Sequence, residues 1–576
     1  MTDPQEALAR LMQAALAAAF GPERADADPL IRPSQFADYQ SNVALSLAKP
    51  LRRSPRDVAT ELIGHLGGSD VLASAEVSGP GFINLTLRND WIAAQADGQL
   101  DHPRLGVLPA DPPQTVVVDY SAPNVAKEMH VGHLRTTVVG DAVVHVLEYL
   151  GDTVIRANHV GDWGTQFGML LEHLLDVGEE AANAQLAAGE INAFYQAAKA
   201  KFDADPSFAE RSRRRVVALQ TGDPETLRLW SNLVNDSKQY YNNIYARLDV
   251  TLTDADLAPE SFYNSMLADV CDELQAKGVA VISDGALCAF PPGFTGRDGT
   301  PLPLILRKTD GGYGYASTDM AAIRYRIRDL RANRLIYVVG AEQAQHFEMV
   351  FATARQAGWL TGEISAEHAT IGLVTGADRK RFRTRTGTSV KLADLIDEAV
   401  ERADKIIAER YDDPELREQI AEAVGVGALK YADLSVARDS GYVLDFDRLL
   451  ALTGNTGPYL QYATARIRSL FHRAGQDPDT AAGPIVITGD AERALALRLL
   501  GFGRAVRVAG AAAEPHGLAA FLFEVASTFT TFYEQCPVLQ APEPSIRQSR
   551  LALSALTLRV LVAGLGLLGI AVPDRM

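Results

Sequence analysis

Apolar residues recur along residues 131–150 in steps of three and four. Val131, Leu134, Val138, Ala142, Val146 and Leu150 therefore share one stripe of a helix, and Gly151 stands where a left-handed cap would end it. The rhythm just before this is different. Residues 115–120 (TVVVDY) are a short β-branched run that reads as a buried strand, and Pro123 keeps the intervening loop out of helix. A second strand is predicted at residues 153–157. Strand, loop and helix N-terminus in this order is where α/β proteins place nucleotides, because the first N–H groups of the helix have no partner within it.

The same patterning divides the rest of the chain. Helical spacing over residues 7–20, a break rich in Pro and Asp, DYQSN at 38–42 leading into a helix at 43–51, and alternation near Val77 and over 82–87 predict a small α+β domain at 1–105. A linker with prolines at 109, 112 and 113 separates it from the strand at 115–120. An alanine-rich helical region at about 176–265 carries RSRRR at 211–215, a solvated helix face or, alternatively, a phosphate track. Beyond it, GGYGY at 311–315 is a turn-rich strand edge. Ser317, Thr318 and Asp319 are predicted to cap a helix running to Arg331. RLIYVV at 334–339 reads as a buried strand, followed by a helix to Gln356 and a strand-like stretch at 370–375. Strands alternating with helices make residues 106–400 a Rossmann-like parallel-sheet domain, and 401–576, helical with little strand signal, an all-α bundle.

With 576 residues, 47% hydrophobic and 22% charged, the chain is expected to be a soluble protein of several domains. Its three cysteines, Cys271, Cys288 and Cys536, lie far apart without CxxC spacing, so neither a zinc site nor a disulfide framework is supported and a reducing cytoplasm fits. No secretion signal is read at the start. The apolar tail at 560–572, about 13 residues with three glycines, is short against the roughly 20 a bilayer requires and reads as a core helix. A net charge of −17 argues against a nucleic-acid coat protein, since phosphates need cations, but leaves room for local basic tracks on an acidic body.

The candidate chemistry sits at the start of the first helix. His130 and His133, one turn apart, add donors to a helix N-terminus and can follow charge building on a phosphate, while Gly132 leaves room for a flat ring against the backbone. Taken alone, the two histidines could equally be capping or metal-binding residues. Neither GxGxxG nor GxxxxGKS occurs among the strands and helices at 115–356, which removes the main support for dehydrogenase and P-loop readings. From Arg379 to Lys391 six cations occur without an acid, suited to neutralising a pyrophosphate leaving group. A solvated basic loop is the plain alternative.

SAPNVAKEMHVGHLR at 121–135, continued by IRANHVGDWGTQFGML at 155–170, resembles the signature region of arginyl-tRNA synthetases, class I aminoacyl-tRNA synthetases in which HVGH corresponds to the HIGH element. The similarity runs along nearly the whole chain. It implies ATP-dependent formation of arginyl-adenylate and transfer to the terminal adenosine of tRNA, with His130, His133 and Lys127 catalytic and with His130, Gly132, His133, Arg383 and Arg385 at ATP. Arg381 to Thr384 fall on the KMSK element without either lysine, a loss the family often shows, and Lys127 is the natural substitute. Asn124, Tyr315, Asp319 and Gln343 fall on arginine-binding positions, with Ser121 and His133 on the same wall. Asp119 could add the carboxylate that a guanidinium requires in its plane. The N-terminal domain, through Tyr39, Gln40 and Asn42, and the C-terminal helices, through Tyr459, Tyr462 and Arg466, are implied to contact tRNA. ALKYADL at 428–434 and GPYLQYA at 457–463 resemble the anticodon-binding domain. The expected partners are arginine, ATP with Mg2+ as a substrate complex, and arginine tRNA. No resident metal or organic cofactor, no DNA, no membrane and a monomeric state are expected. The resemblance further implies that arginine activation depends on bound tRNA. Two rivals remain: a nucleotidyltransferase for a smaller substrate, and an RNA-binding protein without activity.

Overall fold

The computed structural model describes residues 2–187, 191–296, 298–376, 390–408, 410–481 and 483–576. At its centre, four parallel strands among the described residues form a sheet in the order Ser365–His368, Arg334–Tyr337, Thr115–Asp119, Thr153–Ala157. Val116, Val117 and Val118 are all fully buried, so both faces of the central strand are covered and its sequence is continuously apolar rather than alternating. From this strand the chain passes through the HVGH helix, Val131–Leu150, to its neighbour Thr153–Ala157, and much later returns on the other side at Arg334–Tyr337. The strand order thus reverses between Thr115–Asp119 and Arg334–Tyr337, which opens a crevice at their carboxyl ends.

The HVGH helix has the limits its apolar period predicts. Gly151 ends it at φ 90°, its N–H returning to the Glu148 and Leu147 carbonyls. Close seating on the sheet depends on Gly140, where an added Cβ would stand 2.3 Å from the Tyr120 Cβ. The Tyr120 hydroxyl donates to Asp141 (2.9 Å), whose Oδ1 also accepts from Thr251 Oγ1 (2.6 Å).

Three elements differ from expectation. The fourth strand of the sheet is Ser365–His368, a polar edge segment with no β-branched pattern to announce it. The predicted strand at 370–375 shrinks to Val374–Thr375, which pairs in parallel with Tyr442–Val443, so the region past residue 400 also contributes a short strand. The helix expected to be capped by Ser317 to Asp319 is Tyr315–Arg328, preceded by Gly314. The Ser317 hydroxyl is turned instead to the Leu306 carbonyl, and Asp319 lies inside the second turn rather than at the cap.

On one side of this core, an antiparallel sheet runs in the order Ile31–Pro33, Tyr39–Ser41, Phe82–Leu87, Leu72–Ser78, with helices Pro4–Phe20, Val43–Leu51, Pro55–Gly64 and Asn89–Asp101. Helices Thr165–Val177, Glu179–Ala187, Ile191–Ala204, Pro206–Thr221 and Pro224–Arg247 fill the helical region between the strands Thr153–Ala157 and Ala280–Ser283. Within it the basic run is partly structural: Arg211 and Arg215 both reach Glu172 (3.1 and 2.8 Å), and Arg211 also reaches Asp176 (2.8 Å). The C-terminal part is a bundle of helices. Its last helix, Pro544–Leu567, has 24 residues, longer than the apolar tail suggested, and is long and apolar enough to cross a membrane by length and composition alone. Its Leu551, Leu556, Leu561 and Leu565 are fully buried against the bundle.

Candidate active site

A cavity of ≈310 Å³ lies at the crevice between the two central strands. Ser121, Asn124, His130, Gly132, His133, Arg135 and Thr136 form one wall, and residues 338–340, Glu342, Gln343 and 371–374 the other. The loop into the HVGH helix carries three non-glycine residues in the left-handed region, Ser121 (φ 69°), Ala122 (47°) and Ala126 (59°). Such backbone costs about 1–3 kcal/mol per residue and persists where the surroundings enforce it. Here the Ser121 hydroxyl is bound to Tyr245 (2.8 Å) and Thr137 (2.9 Å), the Ala122 N–H donates to Asn158 (3.0 Å) and the Ala126 N–H to Ser237 (3.0 Å).

The two imidazoles are fixed by the helix they start. His130 is the N-cap and accepts the Gly132 N–H at Nδ1 (3.0 Å), while His133 accepts the His130 N–H at Nδ1 (3.0 Å). An accepting nitrogen carries no hydrogen, so in each neutral ring the proton is on Nε2. The rings are 4.1 Å apart and tilted by 40°. A Cβ on Gly132 would come within 2.8 Å of the His130 ring, so glycine is what allows that ring to lie over the helix start. Burial, then the charges of His130 and Lys127, push the His133 pKa down to about 3. His133 is therefore a neutral donor at pH 7, and the pair avoids placing two cations in contact.

Beside this wall lies an acidic and aromatic cluster. Asn124 stands on Gly161, where a Cβ would meet its Oδ1 at 2.5 Å, and the two residues form a parallel bridge. The next residue, Asp162, is buried and accepts from the Ser261 N–H (2.9 Å) and hydroxyl (2.5 Å). Glu260, adjacent to Ser261 in the chain, has its pKa pushed up to about 8, by burial first and then by the charges of Asp162 and Asp319, against a hydrogen bond from the Trp163 N–H. Asp319 is paired with His346 Nε2 at 2.6 Å. Burial acts to lower the His346 pKa, but the hydrogen bond and charge of Asp319 outweigh it and raise it. Tyr315 is 71% exposed, within electrostatic reach of Glu260. Asp319 and Glu260, the latter held protonated chiefly by burial, form with the open face of Tyr315 a site that favours a planar cation.

The profile for "tRNA synthetases class I (R), catalytic domain" matches residues 100–446, that for "Arginyl tRNA synthetase N terminal domain" residues 6–87, and that for "DALR anticodon binding domain" residues 460–576. An arginine–tRNA ligase of Thermobifida fusca is 63% identical over 578 residues, covering 100% of each chain. The chain belongs to the arginyl-tRNA synthetase family. Another such ligase, from Frankia casuarinae, is 50% identical over 96% of each chain. The arginyl-tRNA synthetases of Plasmodium falciparum and Thermus thermophilus superimpose with TM-scores of 0.85 and 0.82 at 28% and 26% identity, each covering 100% of both chains.

In this member of the family the cavity brings together Ser121, Asn124, His130, Gly132, His133 and Gln343. Tyr315 and Asp319 lie in the adjoining acidic cluster. Asp119 is not on the cavity wall: it is buried, with its carboxylate bound to Arg326 Nη2 at 2.6 Å, and so ties the Tyr315–Arg328 helix to the central strand. Lys127 is also off the wall, its Nζ 4.7 Å from the centre of the Tyr195 ring. Arg383 and Arg385 lie outside the described residues. The flanks of their segment are described, and both meet the site: residues 371–374 line the cavity, while the Val131 N–H donates to the Val390 carbonyl (3.2 Å) and the Leu392 N–H to that of Met129 (2.9 Å).

Glu260 is the residue that sequence reasoning missed. It begins a 3-10 stretch, Glu260–Met266, that lacks helical or strand periodicity, and its partners come from positions near 160 and 320. Its only local signal is an acid set among Pro259, Phe262 and Tyr263.

The residues implied for tRNA fall into two settings. Tyr39 and Gln40 lie on a strand, Tyr39 half-buried and Gln40 donating to Asn84 (2.8 Å), while the Asn42 Oδ1 is buried without a hydrogen-bond partner among the described residues. Tyr459, Tyr462 and Arg466 share one face of the helix Gly457–Ala474. Tyr462 is exposed, Tyr459 is half-buried with its hydroxyl near Thr530 (3.3 Å), and Arg466 lies over the Tyr533 ring at 4.2 Å.

Proposed function

We propose that the cavity at the HVGH corner holds ATP and that the cluster of Tyr315, Asp319 and Glu260 holds the guanidinium of arginine, for a synthetase that attaches arginine to tRNA in two steps. In the first, the arginine carboxylate attacks the α-phosphorus of Mg-ATP. The Nε2–H groups of His130 and His133 and the N–H groups of the helix start stabilise charge that grows in the transition state, and pyrophosphate leaves. Lys127 is the preferred cation for the leaving group, with Arg383 and Arg385 from the basic segment that has one flank on the cavity wall and the other bonded to the start of the HVGH helix. In the second step the 2′-hydroxyl of the terminal tRNA adenosine attacks the carbonyl carbon of the mixed anhydride, forming the ester as the acyl–phosphate bond breaks and AMP leaves. No protein nucleophile is needed, because the adenylate is already activated.

Asn124, Ser121 and Gln343 are assigned to hold the amino-acid backbone between the two sites. Asp119 acts at one remove, since its bond to Arg326 sets the helix that carries Tyr315 and Asp319. In this reading residues 1–105 and 401–576 hold the tRNA, through Tyr39, Gln40 and Asn42 at one end and Tyr459, Tyr462 and Arg466 at the other, around a catalytic domain at 106–400 with its helical insertion at about 176–265. The enzyme acts as a cytoplasmic monomer, and arginine activation requires bound tRNA.

The carrying observation is the juxtaposition of two imidazole donors, the buried one of them neutral, at a helix N-terminus with an acidic, aromatic cluster one loop away. The deciding experiment incubates purified protein with ATP, total tRNA and each amino acid in turn. Arginine alone should be charged, and charging of another amino acid or of none would overturn the assignment. Pyrophosphate exchange at full rate without tRNA would contradict the tRNA requirement alone.

A further inference from the structure

The ALKYADL stretch is turned away from any surface that RNA could reach. Lys430, Tyr431 and Asp433 are fully buried, and their helix, Pro414–Leu434, packs against the HVGH helix. Two residues beyond His133, Arg135 meets Asp433 with Nε to Oδ1 at 2.7 Å and both side chains at most 1% exposed. The same guanidinium donates through Nη1 to the Ser440 carbonyl (2.7 Å) and lies 5.3 Å from the centre of the Tyr442 ring, whose hydroxyl neighbours the Asp433 carboxylate. A buried ion pair of this kind commonly adds less stability than a well-packed apolar pair of the same volume, so what it provides is a fixed geometry.

That geometry concerns the cavity. Arg135 lines it together with His130 and His133, and Leu373 and Val374 line it from the other side. The connector at 435–443 is bonded to both. Besides Ser440 and Tyr442 on Arg135, the Gly372 N–H donates to the Arg438 carbonyl (2.7 Å), Arg438 Nη1 donates to the Thr370 carbonyl (3.3 Å), and Tyr442–Val443 pairs with Val374–Thr375. Two walls of the cavity are thus joined behind it by one short piece of chain anchored at Asp433.

We propose that Asp433, acting through Arg135 and Tyr442, is a positioning residue for ATP in the adenylation step, a role that rests on ATP occupying this cavity. Asp433 touches no substrate. Without its charge the Arg135 guanidinium loses its counter-ion, and the first turns of the HVGH helix lose their tie to the wall at 371–374. The arginine cluster stands on other elements, Tyr315–Arg328 and Glu260–Met266, and is not disturbed.

The test is steady-state aminoacylation by full-length Asp433→Asn and Tyr442→Phe, with ATP and arginine varied separately and Tm measured in parallel. Leu470→Ala, in the buried core of the C-terminal bundle, serves as a control that lowers Tm without touching the connector. Asp433→Asn should raise the KM for ATP about tenfold and lower kcat, with the KM for arginine within about twofold; Tyr442→Phe should show the same split at about threefold. A purely structural role would reduce kcat as Leu470→Ala does and leave both KM values unchanged. That result, or a wild-type ATP KM in both variants, overturns the proposal. If Asp433→Asn does not fold, Tyr442→Phe decides by the same criterion. His130→Asn is assayed alongside: if it keeps full activity, the ATP reading of the cavity falls and this proposal with it, whereas if it loses activity and neither variant shifts the KM for ATP, this proposal falls alone.

Discussion

At the residue scale, the two titrations that matter run in opposite directions for the same reason, loss of water. His133, pushed down to about pKa 3, keeps one form across the physiological range, so kcat should show no limb belonging to it between pH 5.5 and 8. His133→Asn should lower kcat by about 10²–10³, the usual effect of removing one donor aimed at developing charge. Glu260, pushed up to about 8, is protonated in the empty site, and a bound guanidinium draws that proton off. The KM for arginine should therefore fall as pH rises from 6 and level off above about 8, and Glu260→Gln should abolish the slope and raise KM at high pH. An arginine KM independent of pH in the wild type would contradict this. For stability the sign is reversed: a raised carboxyl pKa contributes stability fully present below the ordinary value of 4.5, which is lost as pH rises through 8. His130, His133, Asp319 and Tyr315 were legible in the sequence because they stand in a long, distinctive stretch or beside a glycine turn. Glu260 was not, because its significance comes from burial against residues far away in the chain.

At the scale of elements, the HVGH helix was legible to its last residue, since one apolar period and one glycine in the left-handed region set its two ends. Strand Thr153–Ala157 was equally plain. What escaped was short or polar: Ser365–His368 at the sheet edge and the two-residue pairing of Val374–Thr375 with Tyr442–Val443 are held by backbone partners that no local pattern encodes. Asp119 looked like a ligand because it ends a strand at the crevice, and only the fold supplies Arg326 to engage it. Gly140 tests how tightly helix seating controls the chemistry. Gly140→Ala places a methyl inside the space of Tyr120, an overpacking that costs about 1–3 kcal/mol unless the helix moves. Its Tm should fall by several degrees and its kcat with it, since the imidazoles ride on the same helix; an unchanged Tm would show that the contact is slack.

At the scale of the whole molecule, an acidic chain of net charge −17 that charges tRNA must present its tRNA contacts locally, and the proposed contacts lie towards both ends of the sequence. Those ends are joined to each other. Asp38, in the DYQSN stretch, accepts two bonds from Arg493 at 2.6 Å each, the Gln99 amide donates to the Leu499 carbonyl (2.9 Å), and Arg559 donates to that of Leu100 (2.9 Å). Arg493→Ala removes the counter-ion of the mostly buried Asp38 carboxylate, which keeps the Leu87 N–H (2.7 Å), at about 1–3 kcal/mol. It should raise the KM for tRNA while leaving those for arginine and ATP unchanged; a shift in the arginine KM instead would place the N-terminal domain nearer the chemistry than the fold does. The central claim is that an acidic cluster grips a planar cation beside the ATP cavity, and the arginine KM of Asp319→Asn tests it most directly. That KM should rise about 10²-fold or more, with the KM for ATP within about twofold and Tm close to wild type. An unchanged arginine KM in a folded Asp319→Asn enzyme would contradict the account.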